Sequence, residues 1–310
     1  APILVTGSHR SGTTWVGRML GLAPGVAYLH EPLSPRRWPG WFRGRPPHWF
    51  LYICDENEAE YGPMVEDVLA LRYPLGNVLR VRDPRQAVQI AEELPFAIWH
   101  RLHGSRPLVK DPIAVMSAEW LARRFGVRPV VMIRHPAAFA GSLIRLDWPR
   151  FDLRNWLDQP LLLRDLLGPY EELIRRFAQR PGDRLDEAIL LWNVIHHVIA
   201  AFQDRHPEWS FLRHEDLTEE PVKGFRALYD DLDLEWDPVA EATIVRSSTD
   251  PARGEVPTYL HRSVRRESRM ARWTWRHRLT PDEQDRVRQG TASVAAGWYG
   301  EEDWASPEGV

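Results

Sequence analysis

Pro2-Ile3-Leu4-Val5-Thr6-Gly7-Ser8-His9-Arg10-Ser11-Gly12-Thr13-Thr14-Trp15 decides how this chain is read. An apolar run leads into a tight polar loop, and a helix opens at the two threonines. That is a short buried strand, a turn and a helix start. A loop feeding a helix N-terminus presents unpaired backbone N–H groups and the positive end of the helix dipole, which together favour an anion. Arg10 adds a permanent charge on a planar fork of donors. Thr13 and Thr14 add hydroxyls, and Gly12 lets the backbone come close. A nucleotide phosphate loop reads Gly-x-x-x-x-Gly-Lys-[Ser/Thr]. Gly7 and Gly12 keep that separation, but Thr13 stands in the lysine's place and the cation comes earlier, at Arg10. Such a loop suits a smaller anion held without a metal. A turn that binds nothing is the plain alternative, and it leaves Arg-Ser-Gly-Thr-Thr without a packing rationale.

Arg10-Ser11-Gly12-Thr13-Thr14-Trp15 resembles the 5′-phosphosulfate loop of sulfotransferases that use 3′-phosphoadenosine 5′-phosphosulfate (PAPS). Cytosolic members carry lysine where this chain has Arg10; arginine there is familiar among bacterial and carbohydrate-directed members. The resemblance implies that Arg10, Ser11, Gly12, Thr13 and Thr14 bind the cofactor and that Trp15 stacks on its adenine. Packing inside the protein is an equal alternative for the Trp15 ring. It also implies a PAPS-dependent transferase that releases adenosine 3′,5′-bisphosphate (PAP) and requires no metal.

The chain has 310 residues, 44% hydrophobic and 27% charged, as expected of a globular protein, and no linker divides it into parts. One domain over 1–310 is expected. A net charge of −3 does not imply a nucleic-acid binder. The single cysteine, Cys54, permits no internal disulfide, is read as a small buried apolar residue, and fits a reducing, cytoplasmic setting of bacterial type. No window is expected to reach the length of a membrane span, and no signal peptide is read at the start, where a few residues are expected to have been trimmed.

Strands are expected at 2–6, 26–29, 107–110, 129–133 and 210–212. Helices are expected at 13–22, 58–73, 84–102, 117–125, after His135 through Ser142, about 159–179, 184–205, 219–231, 237–246 and 280–297, with Thr280 as the last cap. Residues 247–272 read as irregular and very basic. Strands alternating with helices give an α/β fold: a central parallel sheet flanked by helices, a three-layer sandwich like that of the P-loop nucleotide hydrolases. Ligands in such folds lie at the carboxyl ends of the strands. Arg10, Glu31, Lys110 and Arg134 all fall at such ends.

Arg134 directly follows a strand, and Ser142 comes eight residues later. Sulfotransferases carry an Arg and a Ser at this spacing, and the resemblance implies that both bind the 3′-phosphate. Phe211-Leu212-Arg213-His214-Glu215-Asp216-Leu217 resembles the family's strand ending in Tyr-Glu-Asp-Leu, with His214 for the tyrosine; the acidic pair reads as a loop brace. The run from Arg262 to Arg278 ends in Trp275-Arg276-His277-Arg278-Leu279, like the Trp-Arg-x-x-Leu segment of bacterial and carbohydrate members. Arg265 is its candidate for the 3′-phosphate.

Sulfonate transfer needs a base for the incoming nucleophile and cations for charge on the leaving oxygen. No metal-ligand spacing is apparent, and His196-His197 read as packing and solvent residues. Carbohydrate-directed relatives use a carboxylate as base, and His30-Glu31-Pro32 matches a Glu-Pro segment known among them. Glu31 is the expected base, with His30 and Asp111 as alternatives. Arg10 is expected to stabilise the leaving oxygen and Lys110 to assist at the sulfonate. The loop 34–50, rich in Trp, Pro and Arg, and the helical region of about 148–180 are expected to shape the acceptor side. Scattered aromatics point to a small molecule, glycan or glycolipid. A P-loop kinase or hydrolase, or a non-catalytic sugar- or lipid-binding module, are the competing readings.

Overall fold

A computed structural model describes residues 1–249 and 273–305. Five strands form one sheet: β1 (Ile3–Gly7), β2 (Val26–His30), β3 (Arg106–Lys110), β4 (Arg128–Ile133) and β5 (Ser210–Arg213). All pair in parallel, in the order β2-β3-β1-β4-β5. Every residue of β1 is buried, as is every residue of β4 after Arg128. Helices cover both faces there, so both strands read as unbroken apolar runs rather than as an alternation. Successive side chains point to opposite faces. Ile3 and Val5 therefore enter one core and Leu4 the other.

The first core holds α1 (Thr13–Leu20), α11 (Pro221–Asp231) and α12 (Pro238–Thr249), through Val16, Met19, Phe225, Tyr229 and Ile244. The second holds α4 (Ala118–Phe125), α5 (Pro136–Arg145), α9 (Arg184–Arg205) and α13 (Pro281–Ala295), through Trp120, Phe139, Trp192, Ile195 and Val287. α2 (Glu58–Leu69) and α3 (Pro84–Leu102) lie on that side as well. Asp183 caps α9 by accepting from the N–H groups of Leu185 and Asp186. Thr280 caps α13 as expected, with Glu283 completing the reciprocal pair.

Several expectations are corrected. α9 is long and apolar enough to cross a membrane by composition, but 72% of its most apolar window is buried inside the protein. The helix expected at 159–179 is divided into α7 (Pro160–Leu162), a π turn (Leu163–Leu167), a 3₁₀ turn (Gly168–Tyr170) and α8 (Glu171–Gln179), and a short α6 (Arg154–Leu157) precedes it. Pro169 donates no backbone hydrogen bond, so the regular ladder is broken there. A separate α10 (His214–Glu219) precedes α11, parted from it at Pro221. Cys54 is half-buried rather than buried.

Parallel strands place all carboxyl ends at one edge. From β1 the chain turns toward β2, and from β4 it turns the opposite way toward β5. α1 and α5 leave on opposite faces, which opens a crevice between the ends of β1 and β4. A cleft of about 590 Å³ lies elsewhere, at the amino ends of β4 and β5, lined by Arg128, Ser210, His206 and Trp209.

Candidate active site

The loop after β1 is shaped by backbone geometry that few residues tolerate. Gly7 has φ 130°, and a Cβ there would lie 2.2 Å from the Met132 carbonyl oxygen of the adjoining strand. Gly12, the N-cap of α1, has φ 93°, and a Cβ there would lie 2.4 Å from the His214 ring. Glycine is needed at both positions by conformation and by space. No side chain caps α1, so its first N–H groups keep their donors for something else. Arg10 itself has φ 67°, a left-handed conformation that costs a non-glycine residue on the order of 1–2 kcal/mol.

Arg10 meets Arg134, just past β4, and Ser142, on α5, across the crevice. Its Nε donates to Ser142 Oγ at 3.1 Å, over a sequence separation of 132 residues. Arg134 reaches back and donates from Nη1 to the Arg10 carbonyl. The Arg134 carbonyl accepts from the Trp192 indole at 2.9 Å, which ties the end of β4 to α9. Arg134 and Ser142 are 7% and 2% exposed, so both are held in place. Under the loop, His9 packs against Phe139 and Trp148. Burial, aided by the Arg10 charge, lowers its imidazole to about 3, so it is neutral.

A second group forms at the ends of β2 and β3. Lys110 Nζ donates to Glu31 Oε1 at 2.5 Å, and the Glu31 N–H donates to the Lys110 carbonyl at 2.7 Å. The Lys110 side chain is fully buried, while that of Glu31 is 30% exposed. Burial lowers the Lys110 ammonium from its ordinary value, against the pull of Glu31. Among the described residues no hydrogen bond to Glu31 Oε2 is found. Glu31 also has φ 50°. Backbone strain of this kind persists only where the surroundings enforce it, and it gathers at functional sites. His30 Nε2 lies 3.9 Å from Glu31 Oε1, and its Nδ1 shares a proton with the Tyr28 hydroxyl at 2.8 Å.

Asp111 is fully buried. It accepts from the Leu33 N–H at 2.8 Å and from the Ile113 N–H at 3.2 Å. Burial and neighbouring Glu31 raise its carboxyl to about 7. Its two oxygens brace the segment after Glu31 and start the next turn, a structural task that explains Asp111-Pro112 without a proton-transfer role. Among the described residues no three His, Cys, Asp or Glu side chains gather as a metal-binding group.

Residues 2–238 match the family model described as the sulfotransferase family. The chain belongs to the sulfotransferase family. Its fold is similar to that of the sulfotransferase domain from the Synechococcus PCC 7002 olefin synthase. The TM-score is 0.50 at 17% identity, over 97% of this chain and 95% of that one. The sulfotransferase domain from the curacin biosynthetic pathway is a more distant likeness (TM-score 0.47, 15% identity, 94% of this chain and 98% of that one). So is sulfotransferase STF9 from Mycobacterium avium (0.44, 15%, 96% and 76%). No functionally curated protein matches the sequence.

In this sulfotransferase Trp15 is a packing residue rather than an open stacking face. It is 8% exposed, lies edge-on to Phe225 with ring centroids 5.0 Å apart, and donates to Ser247 Oγ at 3.0 Å. Thr13 is buried in the first turn, Thr14 is partly exposed, and Ser11 Oγ donates to the Ser8 carbonyl at 2.5 Å. Arg265 and the basic run up to residue 272 lie outside the described residues. Glu215 acts as the expected brace: it accepts from the His135 N–H at 3.1 Å and the Tyr299 hydroxyl at 2.9 Å. His196 is buried and bonded to the Trp192 carbonyl at 2.8 Å, and its burial lowers it to about 3.

Sequence reasoning missed the residues that fasten the segment expected to shape the acceptor side. Asn155 accepts from the Trp49 N–H at 2.7 Å, and Gln159 accepts from the Tyr52 N–H at 2.8 Å. These amides fasten the loop 34–50 to α6 and its neighbour. Nothing local distinguishes Asn155 or Gln159 from solvent-facing amides, so no sequence signal could have found them.

Proposed function

We propose that this sulfotransferase moves a sulfonate group from PAPS to a hydroxyl or amine of a small-molecule, glycan or glycolipid acceptor, with Glu31 as general base. The observation that carries the reading is the pairing of two groups at adjoining strand ends. Arg10, Arg134 and Ser142 line the β1–β4 crevice, and Glu31 on Lys110 stands at β2–β3. The uncapped start of α1, a loop turned through left-handed residues and two guanidiniums fit a ligand with two phosphate-type ends. Arg10, Ser11, Gly12, Thr13 and Thr14 would hold the phosphosulfate end, and Arg134 and Ser142 the 3′-phosphate. Arg265 remains a candidate for that phosphate, and Trp15 supports the loop from beneath.

PAPS supplies the sulfonate; the protein supplies position and charge. Lys110 holds Glu31 by Oε1, which leaves Oε2 to take the proton of the acceptor hydroxyl. Arg10 and the N–H groups of α1 meet the negative charge that grows on the leaving oxygen. The reading places the enzyme in a bacterial cytoplasm, in keeping with a lone free Cys54. It treats residues 1–310 as one catalytic domain.

The test is a thermal-shift comparison of PAP with ATP plus Mg²⁺, followed by transfer from radiolabelled PAPS in excess EDTA. A rise in melting temperature with PAP alone and undiminished transfer in EDTA are expected. Stabilisation by ATP and Mg²⁺ but not by PAP would overturn the reading in favour of a nucleotide kinase or hydrolase.

A further inference from the structure

Arg36 and Arg37 sit side by side in a 3₁₀ turn (Pro35–Arg37) that starts four residues after Glu31, and they have different surroundings. Arg37 is committed: its Nη2 bonds Glu93 Oε1 at 3.0 Å, and its carbonyl accepts from Gln89 Nε2 at 3.2 Å. Those bonds anchor the turn on α3. Arg36 faces the other way and is exposed. Its guanidinium carbon lies 4.5 Å from the Trp49 ring centroid and 5.8 Å from that of Trp148. No carboxylate pairs with it among the described residues.

Trp148 carries a second cation. Arg10 Cζ lies 5.9 Å from the same centroid, so the two guanidiniums are at most about 12 Å apart. A cation over an exposed indole face is held only weakly, and the ring does not cancel its charge. The shelf is also built in advance. Asn155 holds the Trp49 backbone, Arg184 bonds the Trp148 carbonyl, and His9 stacks beneath the Trp148 ring. Preorganised aromatic faces beside an uncompensated fork suit a flat-faced ligand that bears an oxyanion.

We propose that Arg36, on the Trp49–Trp148 shelf, binds a carboxylate or phosphate ester carried by the acceptor a few bonds from the group that is sulfonated. The inference rests on the reading above, which assigns Arg10 to the donor and leaves Arg36 for the acceptor. A carboxylate or phosphate would accept two parallel hydrogen bonds from the fork, while Trp49 and Trp148 cover the apolar face of a ring. An acceptor with a neutral group at that place would leave the fork to water and bind more weakly.

The experiment is isothermal titration of the full chain, saturated with PAP, with three matched probes. These are 4-nitrophenyl β-D-glucuronide, 4-nitrophenyl β-D-glucoside 6-phosphate and the neutral 4-nitrophenyl β-D-glucoside. At least one anionic probe should bind about tenfold or more tighter than the neutral one, and the two anionic arms identify which oxyanion is preferred. Arg36→Ala should erase that preference, Arg36→Lys should retain part of it, and neither should change PAP affinity beyond about twofold. Equal binding of all three probes by the wild type, or a preference that survives in Arg36→Ala, overturns the inference while PAP binding stands. A wild type that does not bind PAP overturns the reading of the Arg10 end, and this inference with it.

Discussion

The two halves of the candidate site differ in what their cations are described as touching. At β2–β3 the cation and the carboxylate are in contact: Lys110 bonds Glu31 at 2.5 Å, with buried Asp111 behind them. At β1–β4 the bonds described for the two arginines run to a hydroxyl and a carbonyl, from Arg10 to Ser142 and from Arg134 to the Arg10 backbone. Arg134 also acts electrostatically on the buried Glu215 carboxylate, so the halves differ in which group their cations are described as touching. Under the proposed function the first arrangement would handle a proton and the second would receive an anion.

The largest expected effect breaks the proton half alone. Glu31→Gln should lower turnover ~10²–10⁴-fold, as for loss of a general base, with PAP affinity within about twofold. Steady-state kinetics beside PAP titration check it, and near-normal turnover would remove Glu31 from its role. The complementary break is Arg134→Ala. Losing charge-assisted hydrogen bonds worth ~1.5–3 kcal/mol should weaken PAP binding by roughly 10–150-fold. Unchanged PAP affinity would show that the β4 side does not receive the anion.

A third variant probes the contact between the loop and the start of α10. Gly12→Ala sets a Cβ against the His214 ring in a left-handed backbone and should cost ~1–3 kcal/mol of stability. Adding His214→Ala removes the steric part but not the backbone part, so the double variant should recover some of the loss in denaturant unfolding. No recovery would mean that φ alone demands the glycine.

The smallest effect separates the two halves by pH. Asp111 is raised to about 7 in the folded protein, above its ordinary 3.8, so the folded state holds the extra proton between those values. Stability from this group therefore declines as pH rises from about 4 to 7. His9 and His196, lowered to about 3 from 6.5, act the other way: the unfolded state binds more protons, and stability is lost as pH falls below about 6.5. Asp111→Asn should thus change melting temperature relative to wild type by a few degrees more favourably at pH 7.5 than at pH 4.5. A difference that does not vary with pH would show that Asp111 does not carry this proton.

Much of the fold was legible because its signals are local. The apolar runs at Ile3 and Val130, the polar residues that end them and the Thr280 cap mark strands, switch points and helix starts within a few residues. Where legibility failed, the cause was tertiary. Trp15 lies at the helix face where a stacking ring was expected, but Phe225 and Ser247, more than 200 residues later, enclose it.

The sequence by itself determined that β1 would end in a tight polar turn feeding a helix and that Arg10, Glu31, Lys110 and Arg134 would share one edge, because alternation of strands and helices imposes a parallel sheet. Only the tertiary structure decided the pairings. Glu31 meets Lys110 across 79 residues and Arg10 meets Ser142 across 132, and Asp111 takes backbone N–H groups instead of protons from a ligand. Periodicity encodes which face of an element is buried; it does not encode which distant side chain will be waiting there.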